Sequence, residues 1–155
     1  MKPVIDTTPN IPNTPTYDKL VDDVYDGWRE VQCTTSEFFG LCNAQEQAAI
    51  VVCWLDTQVQ NGGIMQWRDN GYSDFVVQTT DVLYGSGIAI AEEIAEKVNT
   101  FVQAADEIAS DWSEDDELEH AYELTEPIAE KFDDWYYEVC NEFLVQFNTY
   151  LETSF

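Results

Sequence analysis

Basic residues are the scarcest feature of this chain. Its 155 residues include six Lys or Arg against 31 Asp or Glu, which gives a formal net charge of −25. A field of that sign repels nucleic acid and anionic membranes, and it attracts proteins with cationic surfaces. The composition therefore argues against direct nucleic-acid or membrane binding and predicts a basic protein as the partner. Adaptation to a high-salt cytoplasm is the other explanation for such acidity, but five Trp, eight Tyr and eight Phe fit it poorly.

Other absences narrow the class of protein. The four cysteines form no CxxC pair, which predicts reduced thiols that behave as small buried hydrophobes. No run of eighteen apolar residues and no signal-peptide h-region occurs, so we expect a soluble, cytoplasmic protein. Walker loops, glycine-rich dinucleotide turns and nucleophile elbows are also missing. The sequence predicts a protein that is not an enzyme and that holds no cofactor or metal.

Hydrophobic residues nevertheless make up 45% of the chain, which is enough for a packed core in spite of the charge. Residues 1–14 contain three prolines and no apolar period, and they are predicted to form an extended or disordered arm. Residues 15–155 are predicted to form one acidic domain. Because no segment alternates with period 2 over a convincing length, the fold class is predicted to be all-α, with about six helices.

Caps, glycine breaks and apolar stripes place these helices. We expect the chain to end the second long helix at Gly62 and Gly63, and to divide the C-terminal acidic region into two helices at Thr125, ahead of Pro127. A second start at Asp133 or Asp134 is an alternative. The predicted helices are Pro15 to about Val31 after the N-cap Thr14, Ala44 to about Gln60 after an Asn43–Glu46 capping box, a short turn over Ile64–Arg68, Asp74–Tyr84 capped by Ser73, Ile88 to about Ser110, one from Glu114–Glu117 to Leu124, and one from Thr125 to about Leu151.

The residues around the glycine break carry a resemblance. Gln60-Asn61-Gly62-Gly63-Ile64-Met65-Gln66-Trp67, followed by Asn70-Gly71, resembles the signature of the small helical family typified by the DMP-type DNA-mimic protein. The apolar helix before it, the break before Ile88 and the stretch 131–138 extend the resemblance over about residues 44–151. The signature looks structural, and Gln66 is expected to bond a helix end. The resemblance implies an all-α fold, a tendency to form homodimers and, for the typifying member, a negative surface that imitates duplex phosphates and occupies a DNA-binding protein.

Carboxylates are concentrated between Asp106 and Glu142, where fifteen of them accompany Lys131 and His120. Acids alone at four-residue spacing repel one another, so this pattern costs folding stability and indicates a surface built to be negative. A four-residue step rises about 6 Å along a helix, close to the spacing of roughly 6 to 7 Å between adjacent phosphate groups. The residues predicted to replace phosphates are Glu107, Asp111, Glu114, Asp115, Asp116, Glu117, Glu119, Glu123, Glu126, Glu130, Asp134, Glu138 and Glu142, together with the ladder Asp18, Asp22, Asp26 and Glu30 in the first helix.

The predicted function is that of a DNA mimic, an acidic inhibitor that blocks a basic DNA-binding protein. The target is expected to be a transcription factor, a nucleoid protein, a restriction enzyme or a CRISPR effector. The alternative is an immunity protein that neutralises a basic toxin such as a nuclease. Trp112 and Trp135 lie among acids and are candidates for aromatic anchors of a contact with a charged rim.

Residues that imitate metal or acid–base sites fit the chemistry poorly. The spacing of Asp111, Ser113, Asp115 and Glu117 resembles the start of an EF-hand loop. However, Asp116 stands where glycine is required, and Tyr122 stands where a bidentate Glu is required. His120 lacks partners at metal-ligand spacing and is interpreted as an exposed helical residue. Asp56 and Asp81 lie between apolar runs and are the candidates for a desolvated carboxyl, although capping or hydrogen bonding is the preferred interpretation for both.

Overall fold

The chain folds into helices throughout the part that the computed structural model describes, which comprises residues 12–112, 114 and 117–155. The predicted all-α fold is confirmed, with no strand in those ranges and with seven α-helices rather than about six. Of the predicted N-terminal arm, residues 1–11 lie outside the described residues. The helices are α1 (Pro15–Arg29), α2 (Thr35–Leu41), α3 (Ala44–Gly62), α4 (Ile64–Asp69), α5 (Val76–Gly85), α6 (Ala89–Asp111) and α7 (Leu118–Thr153), with a 3₁₀ turn over Tyr72–Phe75 before α5.

Helix α3 is the centre of the core. Every residue from Ala48 to Leu55 is buried, and the helix packs against α1, α4, α5 and α7. The predicted capping box is confirmed: the Asn43 side chain accepts a bond from the Glu46 backbone N–H, and the Glu46 carboxylate accepts one from the Asn43 N–H, each at 2.9 Å. Because a fully buried Ile, Val or Leu contributes about 1.5–3 kcal/mol, this one run is a large part of the stability of the fold.

The C-terminal acidic region forms one helix of 36 residues, so the predicted division at Thr125 is wrong. Neither Asp133 nor Asp134 begins a helix. Pro127 lies inside α7, where it removes the N–H that would bond the Glu123 carbonyl, at a cost of about 3 kcal/mol. Packing outweighs that cost because the buried face of α7 continues on both sides of the proline. Its buried residues there are Ala121, Thr125, Ala129 and Phe132.

Helix α2 is absent from the predictions. Its N-cap is Thr34, whose hydroxyl accepts a bond from the Glu37 N–H at 3.1 Å. The helix buries Phe38, whose ring stacks on Trp28 of α1 with the centroids 4.8 Å apart. The sequence signal, a threonine followed three residues later by a glutamate, is present but short. A helix of seven residues is only marginally stable by itself, and the contact between Phe38 and Trp28 adds to its stability.

Two of the predicted caps are also corrected. Ser73 does not cap a helix, because it lies inside the 3₁₀ turn that follows Gly71, and α5 begins at Val76. Thr14 is the N-cap position of α1, as predicted, but its hydroxyl donates to the Asp18 carboxylate at 2.9 Å instead of accepting a backbone bond. The predicted helix start at Thr14 is therefore confirmed, whereas the one at Ser73 is wrong because the chain makes a 3₁₀ turn there.

The turn between α3 and α4 explains the signature. Gly63 has a φ of +87°, and a Cβ there would collide with the Asp133 carboxylate of α7. Asp133 approaches this closely because its Oδ1 accepts a bond of 2.8 Å from the Ile64 N–H at the start of α4. The amide of Gln66 donates to the Gln58 side chain of α3 at 2.9 Å, so its predicted bond to a helix end is made to a side chain. The signature residues therefore fasten α3, α4 and α7 together.

Candidate protein-binding surface

The outer side of α7 carries a continuous row of exposed carboxylates. Because α7 is not divided at Thr125, acids from its first turn and its centre lie on one rigid element. The row extends over 23 residue steps, which is about 35 Å at a rise of about 1.5 Å per residue. All seven members are exposed, and they are called the α7 row: Glu119, Glu123, Glu126, Glu130, Asp134, Glu138 and Glu142.

The angular spread of the α7 row follows from its spacing. A four-residue step passes a full turn by about 40°, and a three-residue step falls short of one by about 60°. The single three-residue step, from Glu123 to Glu126, resets the drift, so residues Glu119 to Asp134 lie within about 80° of one another. Beyond Asp134 the row winds around the helix by about 40° at each step. The result is a stripe that is nearly straight at first and then curves.

The described cations leave the α7 row unneutralised. Lys19 pairs with Asp23 at 2.6 Å, Arg29 with Asp26 at 2.9 Å and Arg68 with Asp106 at 3.1 Å, and none of these acids belongs to the row. Among the described residues, the only basic atom within 4.0 Å of a row carboxylate is His120 Nδ1, beside Glu123. The row therefore presents its charges to solvent without a Lys or Arg partner.

The acidic ladder predicted in the first helix is partly neutralised, unlike the α7 row. Asp18, Asp22, Asp26 and Glu30 are all exposed, and Glu30 lies one residue beyond the end of α1. However, Asp26 is paired with Arg29, and Asp18 accepts the Thr14 hydroxyl. Since an exposed ion pair lowers the local field even where it adds little stability, α1 presents a less negative stripe than α7.

The remaining predicted acids lie around the connection from α6 to α7. Glu107 and Asp111 are exposed on the last turns of α6, and Glu114 is exposed in the connection. Glu117 is half-buried, and its N–H bonds the Glu114 carbonyl at 2.8 Å. Asp115 and Asp116 lie outside the described residues.

The two tryptophans predicted as aromatic anchors are only partly exposed. Trp112 and Trp135 are both half-buried: Trp112 meets the His120 ring edge-on, and Trp135 lies beneath the Lys97 ammonium. Two of the exposed apolar side chains of α7, Leu118 and Tyr122, lie beside the first members of the α7 row and are 55% and 50% exposed. They are four residues apart on one side of α7, a spacing that sequence reasoning could have used once the helix start was known.

The other candidate chemistries have structural explanations. The Asp56 carboxylate accepts the Tyr136 hydroxyl at 2.5 Å between α3 and α7, and burial raises the pKa of this carboxyl. His120 is exposed, as predicted. Asp81 is also exposed, so it is not a desolvated carboxyl. No cluster of three or more His, Cys, Asp or Glu that could hold a metal ion occurs among the described residues. Within the same part of the chain, no helix is long and apolar enough to cross a bilayer.

Thiol chemistry gives no site either. All four cysteines are free; Cys53 and Cys140 are buried, whereas Cys33 and Cys42 are half-buried. Burial raises the pKa of the Cys53 thiol to about 11, which keeps it protonated at neutral pH. A thiol must ionise to act as a nucleophile or a metal ligand, so Cys53 serves the core.

The described residues thus define an acidic, all-helical protein whose longest helix presents unpaired carboxylates. The sequence model described as DMP19-like protein matches residues 41–154, and the chain belongs to the DMP19-like family. The matched region starts at the end of α2 and includes the signature and all of α7, whereas α1 lies outside it. No match was found among curated proteins or among solved structures.

Proposed function

We propose that this protein is a DNA mimic, a non-catalytic inhibitor whose carboxylates occupy the cationic DNA-binding surface of another protein. The α7 row is the observation that carries the proposal. Each Lys or Arg that would meet a phosphate in the partner meets Glu or Asp instead, and the partner is blocked by competition. Membership of the DMP19-like family, whose typifying member the sequence resemblance associates with this activity, supports the same function.

The dimensions of the α7 row suit this role. Its length of about 35 Å corresponds to roughly ten base pairs at 3.4 Å each. Its steps of about 6 Å approach the spacing between phosphate groups, and its curved half follows a winding path as a phosphate strand does. Leu118 and Tyr122 lie beside its first members and offer apolar contact within a charged rim, the composition of interface hot spots.

The proposed contact surface has an order of importance. The α7 row comes first because no described Lys or Arg pairs with it. Glu107, Asp111, Glu114 and Glu117 extend it across the connection from α6, with Asp115 and Asp116 as further candidates. The α1 ladder comes last, since Arg29 neutralises part of it.

The first experiment measures competition. Proteins captured from the native host on the immobilised chain are purified, and their affinities are measured at several salt concentrations with and without duplex DNA. Duplex is expected to displace the chain, and affinity is expected to fall with salt. The slope should be shallower than that of DNA itself, because the row carries one charge per about 6 Å of axis whereas duplex carries one per about 1.7 Å and condenses more counterions. Binding that is indifferent to both salt and duplex would refute the proposal.

A charge-reversed variant locates the contact. Replacing Glu130, Asp134, Glu138 and Glu142 by Lys changes the net charge from −25 to −17, because each replacement adds two units. The matched control carries the same change at exposed acids outside the row: Asp69, Asp74, Asp81 and Glu92. We expect the row variant to lose partner binding and the control to keep most of it, with equal helix content by circular dichroism. Equal loss in both would assign the effect to net charge alone.

The same measurements separate the alternative function. An immunity protein would bind its toxin tightly, and duplex DNA would not displace it unless the toxin is itself a nuclease with an open DNA site. Mimicry is supported if an electrophoretic shift assay shows inhibition of DNA binding by a captured partner that does not stop cell growth when it is expressed alone, whereas a captured nuclease that does stop growth supports the immunity function. We also expect a homodimer, as the family resemblance implies, and light scattering over a concentration series tests it.

A further inference from the structure

A cleft between α6 and α7 combines apolar walls with positive charge on an otherwise acidic protein. It has a volume of about 560 Å³, which is within the range of about 300–1,000 Å³ typical of small-molecule sites. Its floor contains Phe101 of α6 and Phe132 of α7, both buried, and Ile128 is half-buried beside them. Two lysines line the same cleft, Lys97 from α6 and Lys131 from α7.

These two lysines differ from the other described cations. Lys19, Arg29 and Arg68 each have a carboxylate within 4 Å, whereas Lys97 and Lys131 have none among the described residues. The two lysines without a carboxylate partner therefore line one and the same cleft. Lys97 is held in position because its ammonium lies 4.9 Å from the centroid of the Trp135 ring. A cation held on an aromatic face keeps its N–H donors available for an anion.

We propose that this cleft binds a small amphipathic anion, a ligand with an apolar body and one carboxylate or similar acid group. The apolar body would lie on Phe101, Ile128 and Phe132, and the acid group would lie between the two ammonium groups. Glu96 also lines the cleft and opposes such a ligand, which gives the proposal a test of opposite sign. No member of the α7 row lines the cleft, although Pro127 and Lys131 directly follow Glu126 and Glu130 on α7, and the proposal does not depend on the function proposed above.

The probe is octanoate, with 1-octanol as a neutral control of the same length. Binding is followed by chemical shifts of backbone amides in a ¹⁵N-labelled sample, which report both affinity and location. Octanoate is expected to bind saturably and to shift the amides of residues 96–101 and 127–132, and 1-octanol is expected to bind at least several times more weakly. Absence of saturable binding, or equal binding of the alcohol, would overturn the proposal.

Substitutions test which charged side chains of the cleft contribute to octanoate binding. Lys97→Gln and Lys131→Gln are each expected to weaken octanoate binding roughly three- to fivefold, since single ion pairs at partly exposed sites are weak. Glu96→Gln is expected to strengthen it by a similar factor. Lys19→Gln removes the same charge far from the cleft lining and is expected to leave the affinity unchanged. If Lys19→Gln and the cleft variants have equal effects, or if Glu96→Gln weakens binding, the lysine pair does not form the site.

Discussion

Replacing Gly63 by alanine tests the joint between α3, α4 and α7. Two independent penalties arise there. The φ of +87° is one that residues with a Cβ rarely adopt. The new Cβ would also collide with Asp133 Oδ2 and lie 3.1 Å from Asp133 Cγ. Asp133 must then move, and the Ile64 N–H loses the acceptor that it has at 2.8 Å.

The magnitude follows from these two parts, and a second glycine separates them. With a ψ of 173°, Gly63 lies in a region that is almost confined to glycine, and holding another residue there costs about 1–3 kcal/mol. Loss of the bond to Ile64 adds about 1–3 kcal/mol, because the donor is left without a partner. Gly71 has a φ of +86° and a ψ of 2°, the left-handed α conformation that a residue with a Cβ can adopt at modest cost, and a Cβ there would meet nothing within 4 Å. We therefore expect Gly63→Ala to lower the free energy of unfolding by about 2–6 kcal/mol and Gly71→Ala by about 1–2 kcal/mol.

Urea unfolding followed by circular dichroism measures both variants, and a double-mutant cycle with Asp133→Ala isolates the collision. In the Asp133→Ala background, Gly63→Ala is expected to cost only the backbone penalty of about 1–3 kcal/mol, which is no smaller than the cost of Gly71→Ala. A cost of Gly63→Ala that does not exceed that of Gly71→Ala, or that is unchanged when the Asp133 carboxylate is absent, would contradict the expected collision.

Two further substitutions test the core carboxyl and the long helix. Burial raises the pKa of Asp56, so the folded state holds this proton more tightly than the unfolded chain, and the resulting stability is present below about pH 3.9 and lost as pH rises through the folded pKa. Asp56→Asn, which keeps an acceptor for Tyr136, should therefore raise the free energy of unfolding at pH 7 and lose this gain towards pH 4. The control Asp81→Asn, at an exposed position, should change the free energy of unfolding by less than about 0.5 kcal/mol at either pH. A stability gain of Asp56→Asn that grows on acidification would contradict the prediction. Pro127→Ala should stabilise the protein by about 2 kcal/mol in urea unfolding, because Pro127 is inside α7, whereas no gain would indicate that it begins a separate helix.

Elements with strong local signals could be predicted from the sequence. The Asn43–Glu46 capping box and the apolar run behind it located α3, and the glycines at 62 and 63 located its end to within two residues. These signals are local because a cap involves neighbours three residues apart and a stripe follows the helical period. The same local chemistry misled the interpretation of Thr125 and Pro127. A threonine followed closely by a proline is the pattern of a helix start, but the buried face that continues through both residues is set by packing on α6.

The tight turn at Gly63 depends on a contact that no local sequence pattern can predict. Its glycine suits a positive φ, which the sequence indicated, but its second constraint comes from Asp133, seventy residues further along the chain. Likewise, Phe38 stabilises α2 by stacking on Trp28, a contact between different elements. Contacts of this kind depend on the path of the chain in three dimensions, and composition or periodicity carries no information about them.

Some features of the candidate surface also follow from the sequence, and others depend on the fold. The acidity of the chain, the helical spacing of its acids and their exposure to solvent follow from the amino-acid sequence, because amphipathic patterning separates charge from the core. The three-dimensional fold joined the acids of α7 into one row, since that required Pro127 to lie inside a single helix. It also decided which acids are neutralised, because the pairing of Arg68 with Asp106 joins residues far apart in the chain. The net charge follows from the sequence, whereas the pairing of acids with cations is a property of the folded molecule.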